Sequence, residues 1–429
     1  MYRELDTTST IVAPATASGG AVMVIRLSGT EAIAIGDKIF RGKHRLSESN
    51  GYTLHYGTIV NEREEIIDDV VVALFRAPHS YTGDDTVEIT LHGSEYITSE
   101  VIRLAISYGA TMAMPGEFTR RAFLAGKMDL SRAEAVADII ASDSRWSHNI
   151  ATTQMRGSYS ERLATLREEL LRLCSLLELE LDFSEEDVEF ADRTTLRTIL
   201  DDIGTQIDTL TSSFALGNVL KNGVNVAIIG EPNVGKSTLL NALIEDDRAM
   251  VSDIAGTTRD TIEATTIIDG IRYRFVDTAG IHDTNDKLEQ MGIDRSYRAI
   301  ANAHIILHLA SAEQPIFATI EHKPEQHYIQ VVNKIDAIIS SEYSDVDKLY
   351  ISAKQDIGID NLRTRLRKVM DTSKLNASSV VVSNMRHYSA LKSASDALSD
   401  ARRGIDSNTP SDLLSEDIRR IIHHLGEIT

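Results

Sequence analysis

The sequence predicts a multidomain α/β protein with three parts: an N-terminal α+β domain, a discontinuous helical domain, and an inserted P-loop domain with a doubly wound, mostly parallel sheet. Three observations predict this fold class. Short β-branched runs alternate with turn clusters up to about residue 125, leucines then recur at helical spacing, and an apolar strand followed by a glycine-rich loop interrupts the helical pattern. At 429 residues, the chain has the length of two to four domains.

The N-terminal part has the pattern of a mixed domain. Its apolar runs, rich in β-branched residues, cover Val22 to Leu27, Val70 to Phe75 and Val87 to Leu91, and a helical pattern covers Glu95 to Ile106. Strands that alternate with turn residues around one helix are typical of an α+β domain.

The helical part begins near Ser131 and continues to Phe183, where apolar residues repeat every three or four positions: Leu163, Leu166, Leu170, Leu173 and Leu177. A second helical stretch covers Thr194 to Leu220, and the pattern returns from Met385 after a polar segment, Asp371 to Ser379. We therefore predict domains at 1–125, 126–220, 221–375 and 376–429, with the second and fourth forming one helical domain.

Composition excludes several classes of protein. The formal charge of −20 opposes sequence-independent attachment to nucleic acid, because phosphate contacts need clustered Lys and Arg. The single cysteine, Cys174, lies on the leucine-rich face, where a core role is favoured over a reactive thiol. The apolar runs are too short for a bilayer and the opening residues lack a signal-peptide pattern, so we expect a cytoplasmic protein without a membrane span.

One basic stretch leaves two alternatives open. It contains Arg120, Arg121, Lys127 and Arg132. An RNA contact is one interpretation, and a solvated helix face is the favoured one.

A phosphate-binding loop follows the apolar strand Val224 to Ile229 and precedes a helical segment, Thr238 to Ile244. The loop is Gly230-Glu-Pro-Asn-Val-Gly-Lys-Ser237. In such a loop, backbone N–H groups and the helix N-terminus face phosphates, Lys236 reaches the outer phosphates, and Ser237 binds magnesium.

Three further motifs occur in order, each after an apolar strand. Asp277-Thr-Ala-Gly280 supplies a carboxylate near magnesium and a glycine that senses the γ-phosphate. Asn333-Lys-Ile-Asp336 supplies an aspartate that can accept both N–H donors of guanine, and Ser352-Ala-Lys354 supplies a backbone donor to the guanine carbonyl. Together the motifs predict a guanine-nucleotide site.

A threonine-bearing loop, Gly256-Thr-Thr-Arg-Asp260, lies between the first two motifs. At this position we interpret it as a switch that responds to the γ-phosphate, rather than as a polar turn between strands.

These motifs resemble the GTPases related to Era, Der and MnmE (TrmE), and the flanking sequence favours the MnmE family. The family-like segments are Met114 to Asp138, Tyr81 to Glu88 and Leu181 to Asp187, and the resemblance covers almost the whole chain. It implies an N-terminal folate-binding and dimerisation domain, a helical domain and a GTPase domain. It also implies homodimers that form a heterotetramer with an FAD-dependent MnmG-type partner. Such a complex adds a carboxymethylaminomethyl or aminomethyl group to carbon 5 of the wobble uridine of certain tRNAs.

The resemblance implies a role for individual residues. A reduced folate such as 5-formyl-tetrahydrofolate would bind Arg26, Glu88 and Lys127. Magnesium would bind Ser237 and Thr258, and potassium, which replaces an arginine finger when GTPase domains dimerise, would bind Asn233, Ser252, Ile254 and Thr257. No glutamine follows the second motif, so Glu289 would orient the attacking water, and Lys236 would be the second catalytic residue. The full GTP-binding set is Asn233, Val234, Gly235, Lys236, Ser237, Thr238, Ser252, Thr257, Thr258, Asp277, Thr278, Ala279, Gly280, Asn333, Lys334, Asp336, Ser352, Ala353 and Lys354.

Two departures from the family pattern stand out. The N-terminal loop, PPGRGG-like in the family, reads Ala17-Ser-Gly-Gly20 here and lacks the arginine. The cysteine-containing CIGK-like motif of the family's C-terminus does not occur in this sequence, and Cys174 lies in a different context. The chemistry associated with that cysteine is therefore assigned to no residue.

Two other classes of function remain to be compared. A ribosome-assembly GTPase would carry a basic KH-type domain, and no such pattern follows Met370. A folate-binding module with a GTPase scaffold would bind formyl-tetrahydrofolate and hydrolyse GTP no faster in potassium than in sodium.

Overall fold

The computed structural model describes residues 8–182, 193–244, 263–277, 298–337, 345, 347–370 and 380–429. The chain divides into two compact units between Ala137 and Asp138, a point that lies within a helix. The predicted domain boundaries near residues 125, 220 and 375 stay predictions.

The first unit contains a seven-stranded sheet in the order β3-β4-β5-β6-β2-β1-β7. Its strands are β1 (Ile11–Pro14), β2 (Val22–Ser28), β3 (Phe40–Gly42), β4 (Thr53–Val60), β5 (Ile66–Phe75), β6 (Thr86–His92) and β7 (Thr111–Met112). Its helices are α1 (Ala32–Ile39), α2 (Glu95–Ser107), α3 (Glu117–Leu124) and α4 (Leu130–Ala141), which crosses the division. The predicted α+β class of this part is confirmed.

One face of this sheet carries the core. In β5, Val70, Val72 and Leu74 are buried, and they pack in one cluster with residues of α1 and α2. The alternate residues of the strand point to the opposite face, as the two-residue period of a strand requires. Val71 is one of these residues and is 39% exposed.

The second unit begins with the helices α5 (Arg145–Met155), α6 (Ser158–Asp182), α7 (Arg193–Ser212) and α8 (Phe214–Asn222). A nucleotide-type sheet and its helices follow: β8 (Val224–Gly230), α9 (Lys236–Ile244), β9 (Glu263–Ile268), β10 (Ile271–Asp277), β11 (Ile305–Ser311), β12 (His327–Asn333), β13 (Lys348–Tyr350) and α10 (Ile359–Val369). Two helices end the chain, α11 (Met385–Asp406) and α12 (Ser411–Gly426).

The helical core is discontinuous in sequence, as predicted. Leucines of α6 and α7 share one buried cluster with residues of α11 and α12. Cys174 lies in this cluster, where burial raises the pKa of its thiol, so its core role is confirmed. The first predicted helical stretch contains α4, α5 and α6, and the second is divided at Ser213 into α7 and α8. The leucine repeat from Leu163 to Leu177 lies wholly within α6 and gives no signal for the ends of α4 and α5.

The inserted sheet has the order β13-β12-β11-β8-β10-β9, and every pairing is parallel except that of β9 with β10. Residues of α9 and α10 pack against one face, and a smaller cluster that includes Ile229, Ile300 and Ile306 covers the other. Residues 298–302, which include Ile300, are helical, so helices lie on both faces of a mostly parallel sheet and the doubly wound prediction is confirmed.

Across the described ranges, no helix combines the length and the apolar character that a bilayer span requires.

Candidate nucleotide-binding site

The phosphate loop connects the central strand β8 to α9. Lys236, the first residue of α9, is 7% exposed, and its Nζ donates to the carbonyl oxygens of Gly230 at 2.7 Å and Glu231 at 2.8 Å. These bonds close the loop around the lysine. The N-terminus of α9 adds partial positive charge where an anion would bind.

Asn333 joins the phosphate loop to the base motifs. It ends β12, is 2% exposed, and its Nδ2 donates to the carbonyl oxygen of Val234 at 2.8 Å. Its Oδ1 accepts the Ala353 N–H at 3.0 Å. A Cβ on Gly235 would lie 2.4 Å from the Asn333 Nδ2, so only glycine permits this approach. One buried amide thus holds three of the predicted segments together.

The predicted base-recognition residues also meet. Asp336 lies in a short 3-10 helix, Ile335–Ala337, and its Oδ1 accepts the Ser352 hydroxyl at 2.6 Å. Ser352 is fully buried and Asp336 is exposed. This hydrogen bond fixes the position of one carboxylate oxygen and so orients the exposed Asp336 side chain.

All these groups lie at the carboxyl ends of parallel strands. Asp277 pairs in register with Ile228, so the second motif begins beside the phosphate loop. This edge of an open α/β sheet is where ligands bind.

The structure places only part of the predicted set. Asn233, Ser237, Thr238 and Lys354 are exposed, and Asn233 and Lys334 have left-handed backbone conformations. Ser252, Ile254, Thr257, Thr258, Thr278, Ala279, Gly280 and Glu289 lie outside the described residues, as does the side chain of Asp277. The predicted magnesium, potassium and water-orienting roles therefore stay predictions.

The predicted folate residues lie in the first unit, where Arg26 and Glu88 are directly paired. They are register partners on β2 and β6, and the Arg26 Nε lies 2.7 Å from the Glu88 Oε1. Both side chains are about a quarter exposed, at 22% and 25%. Lys127 donates to the carbonyl oxygen of Pro78, in the segment that leads to Tyr81.

Two aromatic residues that the sequence reasoning missed complete this group. The Arg26 guanidinium lies 5.2 Å from the ring centres of both Tyr81 and Phe118. The Tyr81 hydroxyl is 2.9 Å from the Thr119 hydroxyl. Both rings belong to segments that resemble the MnmE family. Their aromatic character was the sequence signal that could have placed them in the predicted folate site.

The sheet face that carries Arg26 and Glu88 is also apolar and exposed. Register places Glu88 opposite Ala73 of β5, and the next positions on that face include Tyr56 opposite Val71. Tyr56 is 72% exposed and Leu54 is 73% exposed. Solvent-facing apolar residues of this kind mark interaction surfaces when they are contiguous.

The favoured interpretation of the basic stretch as a solvated helix face was wrong for Arg121. This residue is 4% exposed, pairs with the buried Glu117 at 3.2 Å and donates to the Ser9 carbonyl at 2.7 Å. Arg120 also lies near Glu117, at 3.5 Å, and Arg132 pairs with Asp129 at 3.2 Å. The stretch is therefore largely neutralised by neighbouring carboxylates.

Among the described residues, one group of histidines and carboxylates has metal-binding spacing: His423, His424 and Glu427. It lies at the end of α12 and includes none of the predicted magnesium or potassium ligands.

The doubly wound sheet, the phosphate loop and the guanine-type base motifs define a P-loop GTPase. Two family models match the chain, the GTP-binding protein TrmE N-terminus over residues 10–127 and the MnmE helical domain over residues 130–429. The chain belongs to the MnmE family of tRNA modification GTPases.

Curated relatives carry the name tRNA modification GTPase MnmE. One from Bacteroides fragilis is 50% identical, and one from Bacteroides thetaiotaomicron is 49% identical; each comparison covers 98% of this chain and 95% of the relative. A solved structure of Era from Aquifex aeolicus, bound to GDP and aluminium fluoride, is 25% identical over 40% of this chain and 65% of its own, with a TM-score of 0.27.

Proposed function

We propose that this chain is the GTP-hydrolysing subunit of a complex that modifies carbon 5 of the tRNA wobble uridine. The added group is carboxymethylaminomethyl or aminomethyl, and its carbon comes from a folate one-carbon donor. The observation that carries the GTPase part is the Asn333 amide, which joins the phosphate loop and the guanine motifs by hydrogen bonds. Family membership over nearly the whole chain supports the tRNA part.

In this proposal, the described residues bind and orient GTP. The loop N–H groups and the Lys236 ammonium hold the phosphates, and Asp336 accepts the guanine N–H donors. Because the Lys236 Nζ already lies among loop carbonyls, binding requires little reorganisation of the loop. Glu289 orients the attacking water.

Two cations complete the proposed site. Magnesium would be held by Ser237 and Thr258, with Asp277 nearby, and potassium by Asn233, Ser252, Ile254 and Thr257. Ser237 and Asn233 are exposed residues of the phosphate loop, which fits such ligands. The cations supply positive charge against the phosphates, and potassium takes the place of an arginine finger.

The folate would bind beside Arg26, Glu88 and Lys127. The paired charges and two aromatic rings suit a pterin, which offers N–H donors and a flat π face, and a glutamate tail, which offers carboxylates. The exposed apolar face that includes Leu54, Tyr56 and Val71 supports a homodimer through the first unit. Cytoplasmic tRNA and an FAD-dependent MnmG-type partner would complete the heterotetrameric complex.

Replacing Glu289 by Ala tests the hydrolytic role. Loss of a water-orienting group is expected to lower kcat about a hundredfold while KM for GTP stays within about twofold. Steady-state GTP turnover measures both values, and Glu321→Ala, at an exposed position of the same sheet domain, is the control. An unchanged kcat would remove Glu289 from the mechanism.

Replacing Glu88 by Gln tests the folate site. The substitution removes the charge paired with Arg26 and is expected to weaken 5-formyl-tetrahydrofolate binding about tenfold or more, as loss of a charge-assisted hydrogen bond would. Calorimetric titration measures the affinity. Glu100→Gln is the matched control, because Glu100 is also 25% exposed and paired with an arginine, Arg103. Equal weakening in both variants would contradict the proposed site.

A further inference from the structure

A two-residue turn, Asp269 and Gly270, joins β9 to β10. Both residues have positive φ values, 52° and 76°, as a tight hairpin turn of this length requires. β10 runs parallel to β8, with Tyr273 opposite Val224 and Asp277 opposite Ile228. The turn therefore lies at the end of the sheet away from the phosphate loop.

The turn caps the N-terminus of α5. The first N–H groups of a helix have no acceptor within the helix. The Ser144 hydroxyl accepts the Ser147 N–H at 3.2 Å, and the Gly270 carbonyl accepts the Trp146 N–H at 3.2 Å. A side chain and the hairpin turn thus share the capping of one helix end.

Three further contacts join the Asp269–Gly270 turn and its strand β10 to the N-terminus of α5, a region called the junction below. Arg272, 15% exposed, forms an ion pair with Asp143 just before α5. Trp146 and Ile150 pack in the core of the nucleotide sheet. A Cβ on Gly270 would lie 2.9 Å from the Arg145 Cβ, so the turn and the helix are in close contact.

The junction connects the core of the nucleotide sheet with the helical core, and its hairpin leads to two of the nucleotide motifs. α5 packs in the sheet core, and α6, which follows it, contributes Tyr159 and Leu163 to the helical core. At the other end of the hairpin, β9 begins three residues after the Gly256 to Asp260 motif, and β10 ends at the first residue of the Asp277 motif.

β9 is better suited to respond to the nucleotide than β8 is. In the described sheet, β9 is an edge strand that pairs with β10 alone, whereas β8 is held between β10 and β11. Helix α8 also packs in the sheet core, but it leads into this central strand. Because β9 has one neighbouring strand, it can shift with fewer backbone hydrogen bonds broken than β8 can.

We propose that the contact between the Asp269–Gly270 turn and α5 transmits the nucleotide state of the GTPase site to the helical core. The inference rests on the proposed GTPase function and concerns how the nucleotide site is coupled to the rest of the second unit. Nucleotide-dependent strain in the hairpin alters the cap on α5, and the helical core responds through α6. Coupling is reciprocal, so a state imposed on α5 changes nucleotide affinity by the same factor.

Hydrogen exchange tests the proposal in the full chain. Exchange of the α5 amides is compared between the GDP form and the form with GDP, aluminium fluoride, magnesium and potassium. In the wild type, exchange of the α5 amides is expected to differ between the two forms, and Arg272→Gln and Asp143→Asn are expected to reduce that difference about fivefold, as loss of a coupling near 1 kcal/mol would. Asp143 is 51% exposed, so its variant keeps the test valid if the other fails to fold.

Arg367→Gln is the matched control. Arg367 pairs with Asp269 of the same turn at 3.0 Å, but it lies on α10 rather than beside α5. It is expected to retain the wild-type change. An α5 response as large in Arg272→Gln as in the wild type, or no response in a wild type that binds and hydrolyses GTP, would overturn the inference alone. Failure of the wild type to bind GTP in a fluorescence titration would instead overturn the proposed function.

Discussion

Asp336→Asn is expected to lose most of the affinity for GTP and to gain affinity for xanthosine triphosphate. The carboxylate accepts two N–H donors of guanine, and an amide offers only one acceptor. The loss is about 3 kcal/mol, roughly two orders of magnitude in Kd. Xanthine carries a carbonyl where guanine carries the amino group, so the new amide donor complements it.

The structure adds a reason why the substitution should act on specificity rather than on folding. Asp336 is exposed, and its one described partner is the Ser352 hydroxyl, at 2.6 Å. An asparagine oxygen can accept the same hydrogen bond. Competition between GTP and xanthosine triphosphate measures the switch, and Asp356→Asn, an exposed change in the neighbouring base loop, is the control. Full retention of GTP selectivity would refute the base-site assignment.

Asn333→Ala is expected to lower both nucleotide affinity and stability. The substitution leaves the Val234 carbonyl and the Ala353 N–H without their buried partner, at a cost of about 1 to 3 kcal/mol each. The phosphate loop and the base loop then lose their shared support, so the Kd for GTP should rise about tenfold to a hundredfold.

Fluorescent-nucleotide titration and thermal unfolding measure the two effects. Asn225→Ala is the control, because Asn225 lies on the central strand of the same sheet and makes a long side-chain bond of 3.4 Å to the Asn302 carbonyl. If Asn333→Ala bound GTP as tightly as the control, the amide would not organise the site.

The sequence predicted the nucleotide sheet well because its strands are short apolar runs next to glycine-rich or polar motifs. The predicted strand Val224 to Ile229 is observed as Val224–Gly230. Helix ends were harder to predict, since no leucine occurs between Leu130 and Leu163 to mark where α5 ends and α6 begins.

The residues of the candidate site could be predicted from the sequence, but the hydrogen bonds that join them could not. Asn333 stands 99 residues from Val234, and their bond depends on the sheet order, in which β8 and β12 lie on either side of β11. Arg121 resembled a surface charge because its i,i+4 partner, Glu117, suits an exposed helix face. In the fold its guanidinium also donates to the carbonyl of Ser9, 112 residues away, and the sequence gives no sign of this contact.

GTP turnover in potassium chloride and in sodium chloride, at matched ionic strength, tests the central claim most directly. A potassium-assisted GTPase of the MnmE type should turn over on the order of a hundredfold faster in potassium, the effect expected of one lost electrostatic stabiliser in a transition state. Asn233→Ala should abolish the difference while keeping the sodium rate. Equal rates in the two salts would contradict the proposed mechanism and would favour a GTPase that acts without a potassium ion.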